Sequence, residues 1–158
     1  MKKCIMAFLV LLLITGCSGS GNNGNIDLDQ ADMMIPDLHL RTKKVNAWLV
    51  EKENSNRLNI SGEIEIFPSS RYELDFLRLN EIQIFQQLRL ISRIIPVSRF
   101  ENSEFSNKSK ILIFSTIKGV IASLKLDPNK PVEMVIVFEE AGDLLIHKIN
   151  DISITRVE

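Results

Sequence analysis

The chain has 158 residues, of which 45% are hydrophobic, 25% charged and 6% aromatic, with a formal net charge of -1. That profile fits one folded domain and excludes a disordered chain or two separate cores. Lys2 and Lys3 fall in the first 17 residues, which hold no acidic side chain, so the remainder carries 17 basic against 20 acidic groups, a balance that argues against nucleic acid as a partner.

Residues 1–16 have the pattern of a secretory leader: a positive start at Lys2 and Lys3, an apolar run from Ile5 to Ile14, and a small-residue exit at Thr15-Gly16. The run of ten apolar residues is short of the about 20 that a helix needs to cross a bilayer. Ile14-Thr15-Gly16-Cys17, an aliphatic residue, a small residue, Gly and then Cys, resembles the lipobox of bacterial lipoproteins. The resemblance implies cleavage between Gly16 and Cys17 and a diacylglycerol thioether on the Cys17 sulfur, so that acyl chains such as palmitate are the only prosthetic group. Two or three chains hold a protein at a membrane where one holds only marginally. The implied location is the cell envelope, membrane-anchored by lipid. In a Gram-negative cell Ser18, which is not Asp, implies the outer membrane facing the periplasm. Cys4 leaves with the leader, so the chain beyond Cys17 can form no disulfide, thiolate metal site or cysteine nucleophile.

Residues 17–44 read as the lipidated cysteine and a flexible tether. Ser18–Asn25 is Gly, Ser and Asn throughout. If the tether runs from Ser18 to Asp37, its 20 residues have a root-mean-square span of about 25 Å. Asp27, Asp29, Asp32 and Asp37 suggest a calcium loop, but the spacing fails. With Asp27 as the first position, Asp32 stands where the turn glycine belongs and Leu38 where a bidentate glutamate belongs.

Residues 45–158 read as a single β-sandwich domain. Val45–Lys52 is expected as the first strand, and Glu53-Asn54-Ser55-Asn56 as the hairpin turn that follows it. In the second strand Leu58, Ile60, Ile64 and Ile66 share one face, and Asn59, Ser61, Glu63 and Glu65 form a polar face, before Pro68-Ser69-Ser70 ends it. Residues 72–95 support either two strands, broken by a turn at Asn80-Glu81, or a helix. The strand reading is favoured because its neighbours are strands, and the helical alternative would make the fold α+β. Arg99–Lys110 is polar enough for a loop. Ile111–Lys118 and Gly119–Leu126 read as strands, and Asp127-Pro128-Asn129-Lys130-Pro131 as a turn. Val132–Glu140 is apolar on both faces at its centre, the pattern of a strand covered from two sides. Glu140-Ala141-Gly142-Asp143 turns into a strand at Leu144–Ile149, and Ile152, Ile154 and Arg156 alternate in a last one. Strands at this spacing indicate an all-β fold, a β-sandwich or small barrel, of which an antiparallel β-sandwich is the expectation. Leu124-Lys125-Leu126-Asp127-Pro128, Pro131-Val132 and Val135–Glu139 resemble the late strands of immunoglobulin-like domains found in bacterial lipoproteins, although the cysteine pair of that pattern is absent and Trp48 lies on the first strand.

The search for chemistry yields little. His147 could be oriented by Asp143 or Asp151, yet no serine stands in a nucleophile-elbow sequence and no paired-histidine helix occurs. The second histidine, His39, lies by the end of the tether. Only Gly62, Gly119 and Gly142 lie beyond the tether, which leaves no glycine-rich phosphate loop. Glu63 with Glu65 and Glu139 with Glu140 could in principle supply an acid and a base, but Glu63 and Glu65 read as a solvated strand face. Arg89 and Arg93 alternate onto one face around Ile91, with Arg71, Arg78 and Arg99 near in sequence, and they are the candidate interaction residues. A membrane-spanning barrel would need aromatic girdles, and the chain has one Trp and one Tyr. The expectation is a non-enzymatic binding or assembly module. It would be held to a membrane through its lipid and contact an envelope protein at a sheet face or edge. The alternative is a carrier or sensor of a small apolar ligand held by Ile111–Phe114 and Val135–Phe138.

Overall fold

The computed structural model describes residues 38–51, 55–104 and 106–157. The residues read as a leader, Cys17 and residues 18–37 of the expected tether lie outside the described residues. The strands are β1 (Leu40–Val50), β2 (Arg57–Ile66), β3 (Arg78–Gln86), β4 (Arg89–Ile94), β5 (Val97–Ser103), β6 (Ser106–Ser115), β7 (Val120–Ile121), β8 (Val132–Glu140), β9 (Asp143–Ile152) and β10 (Ile154–Val157). They form two packed sheets, a β-sandwich. One has the order β10-β1-β2-β6-β5, with β7 also pairing β2, and the other has the order β4-β3-β8-β9. The pairings are antiparallel except that β10 runs parallel to β1 from Ala47 to Val50.

The clearest alternation in the sequence lies at the centre of the core. Leu58, Ile60, Ile64 and Ile66 are buried against Ile82, Ile84, Leu112, Met134, Ile136 and Phe138 from the facing sheet and from β6. Gly62 interrupts the aliphatic row because Phe114, its cross-strand partner, lays its ring where a side chain would stand. Residues 72–95 hold the two strands favoured over a helix, but their junction is not at Asn80-Glu81. That site is a bulge within β3, and the chain turns at Gln87-Leu88, both with positive φ (52° and 62°). Two consecutive left-handed residues match the twist of a tight hairpin.

Four further boundaries differ from expectation. β1 starts at Leu40 rather than Val45, and Leu38 before it is buried in the core. Its first residues are polar, so burial gives no signal there; the ladder to β2 holds them. Arg99–Lys110 is a β-hairpin of β5 and β6 instead of a loop. β5 pairs on one side only, so its backbone hydrogen bonds define it although most of its side chains are polar, with Phe100 packed against the core. Gly119–Leu126 yields only two strand residues. The chain then leaves the sheet at Ala122 towards Asp127-Pro128, where Pro lacks the N–H that a ladder requires. Most of Leu124–Leu126, which carried part of the immunoglobulin-like resemblance, is therefore turn. Finally, Ile152 ends β9 and the chain crosses at Ser153 to the other sheet as β10.

Candidate interaction surface at one end of the sandwich

Of the possible acid-base carboxylates, Glu63, Glu65 and Glu140 are engaged structurally. Glu65 is buried, contrary to the solvated face expected for it, with Ser103 Oγ donating to its Oε1 at 2.9 Å and Arg41 paired with its Oε2. The Ser103 hydrogen bond, opposed by burial and helped by the Arg41 guanidinium, holds its carboxyl below the usual carboxylate range. Glu63 pairs with Lys43 at 3.0 Å. Glu140 accepts the backbone N–H of Glu73, while Glu139 is exposed. His147 points between the edges of β9 and β1, where its Nε2 lies 3.2 Å from Thr42 Oγ1, and burial pushes its pKa down. Asp143 instead pairs with Arg71 at 3.9 Å. His39 is exposed, and its carbonyl accepts the Phe67 N–H. Among the described residues no group of three His, Cys, Asp or Glu is placed to hold a metal ion.

Arg89 and Arg93 do not share a face. In the β3–β4 register Ser92 opposes Ile84 and Leu90 opposes Phe85, so Ile91 is an extra residue and the alternation slips by one. Arg93 stands over the outward face, 3.9 Å from Glu81, and Leu90 packs on that face too, which leaves Arg89 on the opposite side at the strand's start.

The carrier reading places a ligand between strands that the structure fills with side chains. Leu112, Phe114, Met134, Ile136 and Phe138 are buried in one cluster. Val135 and Val137 point to the other face of β8.

The surface that stands out lies at the end of the sandwich where β1 finishes and β2 begins. A cleft of about 490 Å³ opens there, walled by Leu49, Ile121, Leu124 and Leu126, with the Arg156–Glu51 ion pair (3.7 Å) on its rim. Leu124 is fully exposed, and Ile121, Ile117 and Leu88 are mostly exposed. Water contact with large aliphatic side chains is costly, so the exposed Ile121 and Leu124 beside one cleft mark a candidate contact surface. The turns are held rigidly. The Gln86 amide accepts from Asp127 N–H at 2.9 Å and donates to the Asp127 and Lys130 carbonyls at 2.8 and 3.1 Å, which ties the 122–131 connection to the end of β3. Ahead of β7, Arg57 donates to the Lys118 and Gly119 carbonyls. Sequence reasoning missed this surface because it read Leu124 and Leu88 as strand residues. The signals that separate them are the Asp127-Pro128 stop and the polar pair Gln86-Gln87.

A groove of about 360 Å³ also runs between Thr42–Ala47 of β1 and Ile149–Thr155, where β10 leaves the first half of β1 unpaired on that side. This edge carries Lys43 at a bulge and Lys44 beside it, two devices that discourage strand addition.

No protein-family model matches this chain, and no match is found among curated proteins or solved structures, so the reading rests on its own residues.

Proposed function

We propose that this chain is a lipid-anchored cell-envelope protein whose β-sandwich acts without catalysis, as a binding or assembly accessory to an envelope protein. The observation that carries the reading is the pair of exposed aliphatic side chains beside the end cleft, Ile121 on β7 and Leu124 on the tied-down turn that follows it, at one end of a filled sandwich. The tether joins at the other end, since β1 runs from Leu40 to Val50 between the two. Eleven strand residues span about 36 Å, which directs the aliphatic end away from the tether. The anchor itself is the lipid on Cys17, cut free after Gly16.

In-cell crosslinking and pull-down of the whole chain tests the contact. A single envelope protein should be recovered with the native chain and lost with Ile121→Asp and Leu124→Asp; recovery of nothing above background overturns the proposal. Cys17→Ser should move the chain out of the membrane fraction. Unchanged membrane retention would remove the lipid anchor. The carrier alternative now attaches to the end cleft, where Leu49, Ile121, Leu124 and Leu126 line the wall beside Ser55, Asn56 and Ser123. Native mass spectrometry showing only the apo mass after mild purification eliminates it.

A further inference from the structure

The sheet β4-β3-β8-β9 buries apolar groups on the face that points away from the core. Phe85, Val135, Val137 and Ile146 form a cluster separate from the main one, with Val135 0% and Val137 1% exposed. Among the described residues this cluster and the apolar side chain packed against it come from the sheet's own strands. Leu90 is the further apolar side chain packed there, and the ion pairs Arg93–Glu81 and Lys148–Glu133 flank it. Gln83 lies in the same row, between Arg93 and Val135 in the ladder, and is 0% exposed. Its Nε2 donates to Glu81, but its Oε1 has no hydrogen-bond partner. A buried acceptor without a donor is destabilising unless something supplies an N–H. A single sheet layer whose outward valines are shut off from water also calls for a second layer.

We propose that the segment Asn25–Asp37 of this same chain is that layer, packing Ile26, Leu28 and Met33–Ile35 on Phe85, Val135, Val137 and Ile146 and supplying a backbone N–H to Gln83 Oε1. Two observations favour this occupant. The segment is amphipathic, with Ile26 and Leu28 alternating with Asp27 and Asp29 before Met33-Met34-Ile35. It is joined directly to Leu38, which is already buried in the core at the end of the sandwich where β8 turns into β9, so a few residues suffice to pass around that turn. The consequence is a shorter tether. With Asn25–Asp37 docked, only Ser18–Gly24 stays free, and the root-mean-square span falls from about 25 Å to about 15 Å. Release of the segment would extend the reach of the aliphatic end. The proposal does not depend on the partner contact proposed above.

The test places a photoreactive benzoylphenylalanine at Leu90 in the full chain, mixes isotopically heavy and light chains, irradiates, and identifies the joined peptides. Crosslinks from position 90 to residues 25–37 within one chain, lost in Ile26→Asp with Leu28→Asp, are the expected result. Heavy-to-light crosslinks would mean that a second copy covers the face, and crosslinks that avoid residues 25–37 would mean another occupant. Either outcome overturns the proposal. The same probe at Glu133 repeats the measurement from the other flank should the Leu90 variant not fold, with circular dichroism reporting the fold in each case.

Discussion

Ser103 Oγ donates a 2.9 Å hydrogen bond to Glu65 Oε1, and both side chains are buried although 38 residues separate them. The contact fixes the β5 edge strand to β2 across β6, and it favours the ionised carboxylate.

A pH dependence follows from it. Glu65 titrates below its ordinary value near 4.5 in the folded state, so its contribution to stability is fully present above that value and is lost as pH falls through the lower folded one. Thermal unfolding followed from about pH 6 down to about pH 3 should show a steep acid loss in the native chain. Glu65→Gln should flatten that limb, and Ser103→Ala should move it to higher pH. An identical acid limb in all three chains would show that Glu65 is not the responsible group.

Gly62 is required by packing rather than by backbone conformation. A Cβ there would enter the Phe114 ring, and Phe114 is itself buried. Gly62→Ala should destabilise by about 1–3 kcal/mol in denaturant unfolding. Combining it with Phe114→Leu should cost less than the two changes summed, because the smaller side chain makes room for the methyl group.

Gln86 is buried and closes both ends of its amide on the backbone of the 122–131 connection. Gln86→Leu leaves an N–H and two carbonyls without that partner, a loss of about 1–3 kcal/mol. Hydrogen exchange should rise at Asp127 and along Ala122–Lys130 before it rises in β8, and partner recovery should weaken even though Gln86 lies outside the contact.

Ile121 and Leu124 should behave in the opposite way. Ile121→Asp and Leu124→Asp remove exposed side chains, so stability should change by no more than about 0.5 kcal/mol while crosslinked partner recovery is lost. Loss of stability with no change in recovery would reassign both residues to the core.

Much of the framework was legible in the residues. The period-two pattern of Leu58–Ile66, the doubly apolar run Val132–Glu140 and the turn at Asp127–Pro131 are local signals, and each stands where the sequence placed it. The candidate surface was not legible, because the same aliphatic residue reads as core or as contact until its neighbours are known. Leu126 is partly buried and Leu124, two residues earlier, is fully exposed. The alternation that joined Arg89 to Arg93 failed for a related reason, since one extra residue at Ile91 reverses every later side chain and nothing in the local pattern marks it.

The sequence by itself determined that this chain forms strands and where most of them turn, because side-chain alternation, proline and turn residues act on their immediate neighbours. It also carries the lipobox-like Ile14-Thr15-Gly16-Cys17, a chemical signal read in the linear chain. The tertiary structure alone decided that β10 lies parallel to β1, that the polar stretch from Arg99 is strand, that Glu65 is buried on Ser103, and that the far face of β8 is shielded. Each depends on backbone or side-chain groups arriving from tens of residues away. Burial and hydrogen-bond satisfaction belong to the assembled sheets, and no window of sequence contains both partners.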